Sequence, residues 1–144
     1  MLAARIIAYA QGFRILAAAS ADYDWNLDFA RIAEIWRAGC IIRSALLDDI
    51  SAAFRGDMPE GQLIFAPAFV ARLQKAIPAL RRVVAAAVTA GHPVPAFSAS
   101  LAWVDSMVQA RGTADVVQAQ RDFFGRHGFE RVDGGTGQHG PWWD

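Results

Sequence analysis

This chain of 144 residues has few cysteines and lysines and no net charge. Its single cysteine, Cys40, excludes an intramolecular disulfide and a cysteine-rich zinc site. The apolar neighbours Ile41 and Ile42 predict a buried thiol rather than a reactive one. Lysine occurs once, at Lys75, and 14 basic residues balance 14 acidic ones. Because nucleic-acid binding requires a basic surface that displaces counterions, we expect no nucleic-acid partner.

Several catalytic and cofactor motifs are also missing. No Gly-x-Gly-x-x-Gly follows a predicted strand, so the chain holds no dinucleotide-binding fold of its own. No Ser/His/Asp or Cys/His set stands out as a nucleophilic site. The three histidines, His92, His127 and His139, lack metal-ligand spacing. We therefore expect no catalytic, cofactor-binding or metal-binding residue in this chain, and we place His92 on the surface.

Apolar residues are abundant. They make up 54% of the chain, and the mean hydropathy is +0.20. A chain of this length suits one domain with one core, so part of this apolar material is expected to pack against a partner, as in a homodimer. Gln11 and Arg14 interrupt the apolar N-terminal segment, and no run approaches the roughly 18 residues of a membrane span. We expect an amphipathic helix there, no membrane, and a cytoplasmic location.

Helical periodicity runs through almost the whole sequence. Asp28 is expected to cap a second helix, and Pro67 and Pro78 each to occupy a first helical turn. Thr113 is expected to cap the last helix, Gly125 to end it, and Gly91 to end the helix before Pro95. The remaining expected helices are residues 3–21, residues 40–54 with Ile42, Leu46 and Ile50 on one face, residues 81–90 as a buried central helix, and residues 95–110.

The fold class predicted from these patterns is all-α: a single helical domain with an extended C-terminal tail. We divide it into a helical part, residues 1–127, and a tail, residues 128–144. The tail is rich in glycine but carries Phe129, Trp142 and Trp143. Disordered segments are poor in aromatic residues, so these rings need a surface to pack on. A partner subunit is the expected surface.

Arg121 and His127 form the candidate site. Six residues on a continuous helix turn through about 600°, which would leave the two side chains about 120° apart. Convergence therefore requires the helix to stop near Gly125. An arginine fork and an imidazole could then bind an anion such as phosphate. The spacing by itself favours the alternative, in which the arginine pairs with Asp122 or Glu130 and the histidine satisfies helix-terminal carbonyls.

Two further residues are possible accessories to this site. Arg126 precedes His127 and could add charge, although a solvated surface position is the simpler interpretation. His139 lies three residues before Trp142 and could close over a ligand, although anchoring of the tail by hydrophobic contact is favoured.

Several segments in order resemble one enzyme family. They are Tyr-Ala-Gln-Gly-Phe at residues 9–13, Trp-Asn-Leu at 25–27, Trp-Arg-Ala-Gly-Cys-Ile-Ile-Arg-Ser at 36–44, Pro-Ala-Phe-Ser at 95–98 and Gln-Ala-Gln-Arg-Asp at 118–122. From about Ala3 to Trp142 the chain resembles the C-terminal all-helical domain of the decarboxylating 6-phosphogluconate dehydrogenases.

This resemblance implies a function. The family oxidises 6-phosphogluconate with NADP and releases CO2, which gives ribulose 5-phosphate in the pentose phosphate pathway. Its members are homodimers in which the tail of one subunit threads through the other. Arg121 and His127 match the residues that bind the phosphate end of the partner subunit's substrate.

The chain also departs from the family pattern. Phe123 replaces a frequent tyrosine, Arg126 replaces a small residue, and His-Gly-Pro-Trp at 139–142 replaces His-Thr-Asn-Trp. The nucleotide-binding domain and the segment with the catalytic lysine and glutamate would precede Met1. We therefore expect this chain to be inactive alone and to need a separate N-terminal portion. The alternative is a non-catalytic helical dimerisation module derived from such an enzyme.

Overall fold

The computed structural model describes residues 1–39, 41–42 and 44–142, with the backbone alone at Ala38. The all-α class is confirmed, and within these residues the β pairing is confined to an isolated bridge between Phe129 and Gln138. The helices are α1 (Leu2–Asp22), α2 (Phe29–Gly39), α3 (Leu46–Arg55), α4 (Pro67–Thr89), α5 (Pro95–Met107) and α6 (Ala114–Gly125), with short 3-10 helices at Pro59–Gly61 and Leu63–Phe65.

The chain forms two compact units, Met1–Val104 and Asp105–Asp144. The sequence-based division after residue 127 differs from this one, because α6 and the tail belong to the same unit. Packing of residues 128–144 on a partner subunit stays a prediction.

The core of the first unit is built on one face of α1. Small residues and two isoleucines of this helix are buried, and α1 contacts α4. Phe13 anchors an aromatic cluster, with ring-centroid distances of 6.3 Å to Phe29, 5.3 Å to Trp36 and 4.8 Å to Phe54. These contacts join α1, α2 and α3 through a single side chain.

Helix α1 also meets the length and composition criteria for a membrane span, a test that soluble core helices pass as well. Its face with Ile6, Ile7 and Phe13 is buried inside the first unit. We therefore interpret α1 as a core helix.

A polar cluster joins α2 to α3. Asp28 caps α2 as predicted, since its Oδ1 accepts a hydrogen bond of 2.9 Å from the amide of Arg31. Further along α2, Glu34 accepts from Arg55 at 2.5 Å and from the Ser51 hydroxyl at 3.1 Å. The hydrogen bond from Arg55 is the main reason that the pKa of Glu34 lies below its usual value.

The third helix begins later than predicted. It starts at Leu46 rather than at residue 40, and Ile42 is exposed instead of lying on the buried face. The reason is that other partners satisfy the backbone here. The Tyr9 hydroxyl donates to the carbonyl of Ile42 at 2.9 Å, and Ser44 Oγ accepts from the amide of Leu46 at 3.2 Å. The predicted burial of Cys40 lies outside the described residues.

Helix α4 corrects two further predictions. Pro67 occupies its first turn as expected, but Pro78 lies inside the helix, which continues past the missing amide to Thr89. Residues 81–90 are not a buried central helix, because the buried face of α4 ends at Leu80 and the side chains of Val83 and Val88 are 49% and 64% exposed.

The end of α4 follows the prediction. Gly91 has a φ of +73°. The amide of Gly91 donates to the carbonyl of Val88 at 3.1 Å, and the amide of His92 donates to the carbonyl of Ala87 at 2.8 Å. These two hydrogen bonds form a Schellman motif. His92 is exposed, as expected.

Candidate functional site

The candidate site lies in the second unit, at the C-terminal end of α6. The helix stops at Gly125, as convergence of Arg121 and His127 requires. Arg126 caps it in the left-handed conformation, with φ +51°, and its amide donates to the Asp122 carbonyl at 2.8 Å. A side chain at Gly125 would collide with the imidazole of His127, since a Cβ there would lie 2.5 Å from Nε2. Glycine therefore lets the His127 ring lie against the last turn of α6.

Asp122 is the one buried residue among the described residues of this unit. Its side chain is 0% exposed, although it carries a carboxylate. Oδ1 accepts from the amide of Gly128 at 3.0 Å and contacts His139 Nδ1 at 2.6 Å. Oδ2 accepts from the amide of Gly140 at 2.8 Å and from the indole Nε1–H of Trp142 at 2.7 Å. Four donors thus compensate the burial of one charge.

These contacts keep Asp122 ionised. Burial by itself would raise the pKa of the carboxyl, but the hydrogen bonds outweigh it and hold the pKa of Asp122 well below its usual value. The strongest of these opposing interactions comes from the backbone amide of Gly140. A negative charge is therefore retained between α6 and the returning tail.

Aromatic contacts reinforce the return of the tail. The ring of Trp142 meets Phe123 of α6 edge to face, with centroids 6.1 Å apart, and Phe123 contacts Phe124 at 5.6 Å. Trp142 thus packs within its own chain, although it remains 37% exposed. The predicted role of Trp143 lies outside the described residues.

Arg121 is exposed on α6, and its Nη1 donates to Oε1 of Gln118 at 2.7 Å. The expected alternative pairing with Asp122 is wrong, because the tail occupies both oxygens of that carboxylate. His127 is exposed too. Their joint role in binding phosphate stays a prediction.

A cavity of about 1040 Å³ lies beside these residues. His127 and Gln118 contribute to its wall, but Arg121 is not among the lining residues. Its walls come from Arg111, from α6, from residues 127–133 and from residues 137 and 140–142.

The arginines of this cavity already have acidic partners. Arg111 pairs with Asp115 at 2.6 Å, and Arg131 binds both oxygens of Asp133 at 2.8 and 2.6 Å. The positive charge that faces the cavity is therefore largely neutralised by the chain itself. A strongly bound anion would need further donors from elsewhere.

The two accessory candidates have separate positions. Arg126 supplies the left-handed cap of α6, and its side chain is exposed. His139 contacts the Asp122 carboxylate, so a polar contact holds the tail beside the predicted hydrophobic one, which Trp142 makes with Phe123. A role for either residue in ligand binding stays a prediction. Among the described residues, no group of three or more His, Cys, Asp or Glu side chains could hold a metal ion.

Sequence reasoning missed the role of Asp122 and considered it only as a partner for Arg121. Its donors lie six to 20 positions later in the chain, beyond the reach of helical periodicity. The one available signal was the presence of glycine, histidine and tryptophan together in the tail.

Comparison with known proteins identifies the class of domain. Residues 1–142 match the family model described as 6-phosphogluconate dehydrogenase, C-terminal domain. The decarboxylating 6-phosphogluconate dehydrogenase of Treponema pallidum (strain Nichols) is 47% identical over 141 residues, which cover 96% of this chain and 29% of the relative. That of Escherichia coli (strain K12) is 45% identical over 140 residues, which cover 97% of this chain and 30% of the relative.

A solved structure agrees with these relatives. The 6-phosphogluconate dehydrogenase of Plasmodium falciparum, studied in its apo form, with its cofactor NADP+ and with its substrate 6-phosphogluconate, superposes with a TM-score of 0.89 at 37% identity. The match covers 98% of this chain and 30% of that one.

The chain therefore belongs to the 6-phosphogluconate dehydrogenase family and corresponds to its C-terminal domain. It spans less than a third of the length of the relatives that it matches.

The low pKa of Asp122 predicts an acid-sensitive tail. A carboxyl whose folded-state pKa is depressed stabilises the structure fully above its unfolded value, and this contribution is lost as the pH falls toward the folded value. We expect amide protection at Gly128 and Gly140 to be constant above about pH 5 and to fall below about pH 4, measured by hydrogen exchange and corrected for intrinsic rates.

The amides of α1 serve as the internal reference for acid destabilisation of the first unit, where Glu34 also has a lowered pKa. Equal protection of both glycine amides across this pH range, with helix content unchanged, would contradict the prediction.

Proposed function

We propose that this chain is the C-terminal part of a decarboxylating 6-phosphogluconate dehydrogenase, where it supplies a dimer interface and the phosphate-binding end of the substrate site. The observation that supports this most strongly is the match over residues 1–142, with relatives of the same activity at 42–47% identity. A nucleotide-binding portion, which accounts for the remaining length of the relatives, would bind NADP. It would also supply the side chains that take part in hydride transfer and decarboxylation. The expected cytoplasmic location is part of the same proposal.

Arg121 is suited to hold a phosphate. Its guanidinium carries five N–H donors, and one of them donates to the neutral amide oxygen of Gln118. A phosphate oxygen is a stronger acceptor than that amide, so ligand binding would displace or share this contact. His127 would add a second donor from the turn beyond α6.

The charge balance of the cavity favours a substrate site that this chain shares with other parts of the enzyme. Since Arg111 and Arg131 are already paired with carboxylates, this chain alone offers few unneutralised cations near His127. We infer that the remaining ligands for the substrate come from a partner subunit and from the nucleotide-binding portion. The chain by itself would then bind the substrate weakly and not convert it.

The exposed apolar residues support a homodimer. They include Val83 and Val88 beyond the buried part of α4, and Val116, Val117 and Phe124 on α6, of which Phe124 is 78% exposed. Exposed apolar area of this kind marks interaction surfaces, and obligate interfaces resemble a divided core. A second copy of the chain is the proposed partner.

Phosphate recognition can be tested by calorimetry. We expect the chain to bind 6-phosphogluconate weakly and gluconate not at all. Arg121→Ala and His127→Ala should each weaken binding roughly 10-fold or more, since a hydrogen bond to a charged group contributes about 1.5–3 kcal/mol. Arg5→Ala, an exposed arginine of α1, is the matched control and should bind like the unaltered chain. Equal affinity for gluconate, or no effect of Arg121→Ala, would exclude this role.

Catalysis can be tested by complementation. Mixing the chain with a separately expressed nucleotide-binding portion of the Escherichia coli relative should restore formation of NADPH from 6-phosphogluconate and NADP, whereas either part alone should form none. No activity from a complex that demonstrably assembles would favour the alternative, a non-catalytic dimerisation module.

Dimerisation can be tested by sedimentation. We expect a dimer at micromolar concentration. Val83→Asp combined with Val88→Asp should shift it toward monomer, because two charges would be buried in an apolar interface. Lys75→Asp, an exposed position of the same helix, is the control. A stable monomer of the unaltered chain would rule out the proposed interface.

A further inference from the structure

We propose that Asp122 is a positioning residue for substrate binding: its buried carboxylate holds the backbone on the far side of His127 and so places that imidazole at the end of α6. This inference rests on the proposed function, because it takes His127 as a ligand of the substrate phosphate.

The backbone of His127 is held on both sides by one residue. On the N-terminal side, the amide of Arg126 donates to the main-chain carbonyl of Asp122 at 2.8 Å. On the C-terminal side, the amide of Gly128 donates to the side chain of Asp122 at 3.0 Å. The imidazole also lies against Gly125 of the last helical turn. Its position is thus defined by the last turn of α6 and by the Asp122 carboxylate.

The two oxygens of the carboxylate have different tasks. Oδ1 binds Gly128, next to His127, and also His139. Oδ2 binds Gly140 and Trp142, which belong to the returning tail. Loss of an acceptor at Oδ1 should therefore affect His127, whereas loss of a donor at Oδ2 should affect the tail.

An asparagine at position 122 separates these tasks. Its amide nitrogen cannot accept a hydrogen bond, so two of the four donors lose their acceptor in either orientation. With the nitrogen at the Oδ2 position, both Gly140 and Trp142 lose theirs. With the nitrogen at the Oδ1 position, both Gly128 and His139 Nδ1 lose their acceptor, but the amide can donate to Nδ1 of His139 in the tautomer that carries its proton on Nε2. Gly128 is then left without a partner. The second orientation retains more hydrogen bonds, and we expect Asp122→Asn to adopt it.

The test compares Asp122→Asn and Trp142→Phe with the unaltered chain. In Asp122→Asn we expect amide exchange at Gly128 to accelerate at least about 10-fold while Gly140 remains protected, and affinity for 6-phosphogluconate to fall roughly 10-fold. In Trp142→Phe, which removes one donor at Oδ2 and keeps a ring against Phe123, we expect faster exchange near Gly140 and little change at Gly128 or in affinity. Asp57→Asn, an exposed loop residue, controls for the loss of one charge.

Several outcomes would overturn the inference. Unchanged exchange at Gly128 in Asp122→Asn would do so, as would full affinity in a variant whose Gly128 amide is released. Equal losses in Asp122→Asn and Trp142→Phe would indicate a general structural role instead of positioning. If Asp122→Asn does not fold, Trp142→Phe still decides between these two roles, since parallel losses at Gly128 and in affinity would reject positioning.

Failure of the proposed function has a different result. If the unaltered chain does not bind 6-phosphogluconate, the proposed phosphate site is wrong, whereas exchange at Gly128 still shows whether Asp122 positions His127.

Discussion

The C-terminal unit depends on one buried charge. Asp122 carries its carboxylate at a position with no solvent exposure, which is tolerable only because four donors reach it from the turn and the tail. A tail with many glycines has a high conformational entropy when free, and hydrophobic contact between Trp142 and Phe123 is not directional. The carboxylate fixes the path of the tail, because each of its oxygens accepts hydrogen bonds from particular residues of the tail.

The first unit depends on apolar packing, which buries some of its apolar side chains and leaves others exposed to solvent. Phe13 joins three helices, and the polar cluster around Glu34 ties α2 to α3. Beyond Leu80, however, α4 keeps apolar side chains such as Val88 in solvent. The high apolar content of the sequence therefore does not reflect an unusually large core. It reflects surfaces that single units of this size leave uncovered, which is the physical basis for proposing a partner.

Three helix boundaries could be predicted from local chemistry. The cap at Asp28, the proline at the start of α4 and the left-handed Gly91 each act within one helical turn of their partners. Predictions failed where distant groups intervene. Tyr9 and Ser44 satisfy the backbone ahead of α3 and delay its start, and burial of residues 81–90 depended on neighbours that the first unit does not provide.

The sequence by itself determined the helical class, the end of α6 at Gly125 and, through ordered motifs, the family to which the chain belongs. These properties follow from short-range periodicity, capping and residue identity. Only the tertiary structure revealed that Asp122 organises the surroundings of His127 and that the cavity arginines are already paired. The contacts of Asp122 join residues six to 20 positions apart in the chain. The hydrogen-bond geometry and burial that decide these contacts, and the shape of the cavity around the arginines, are properties of the folded molecule.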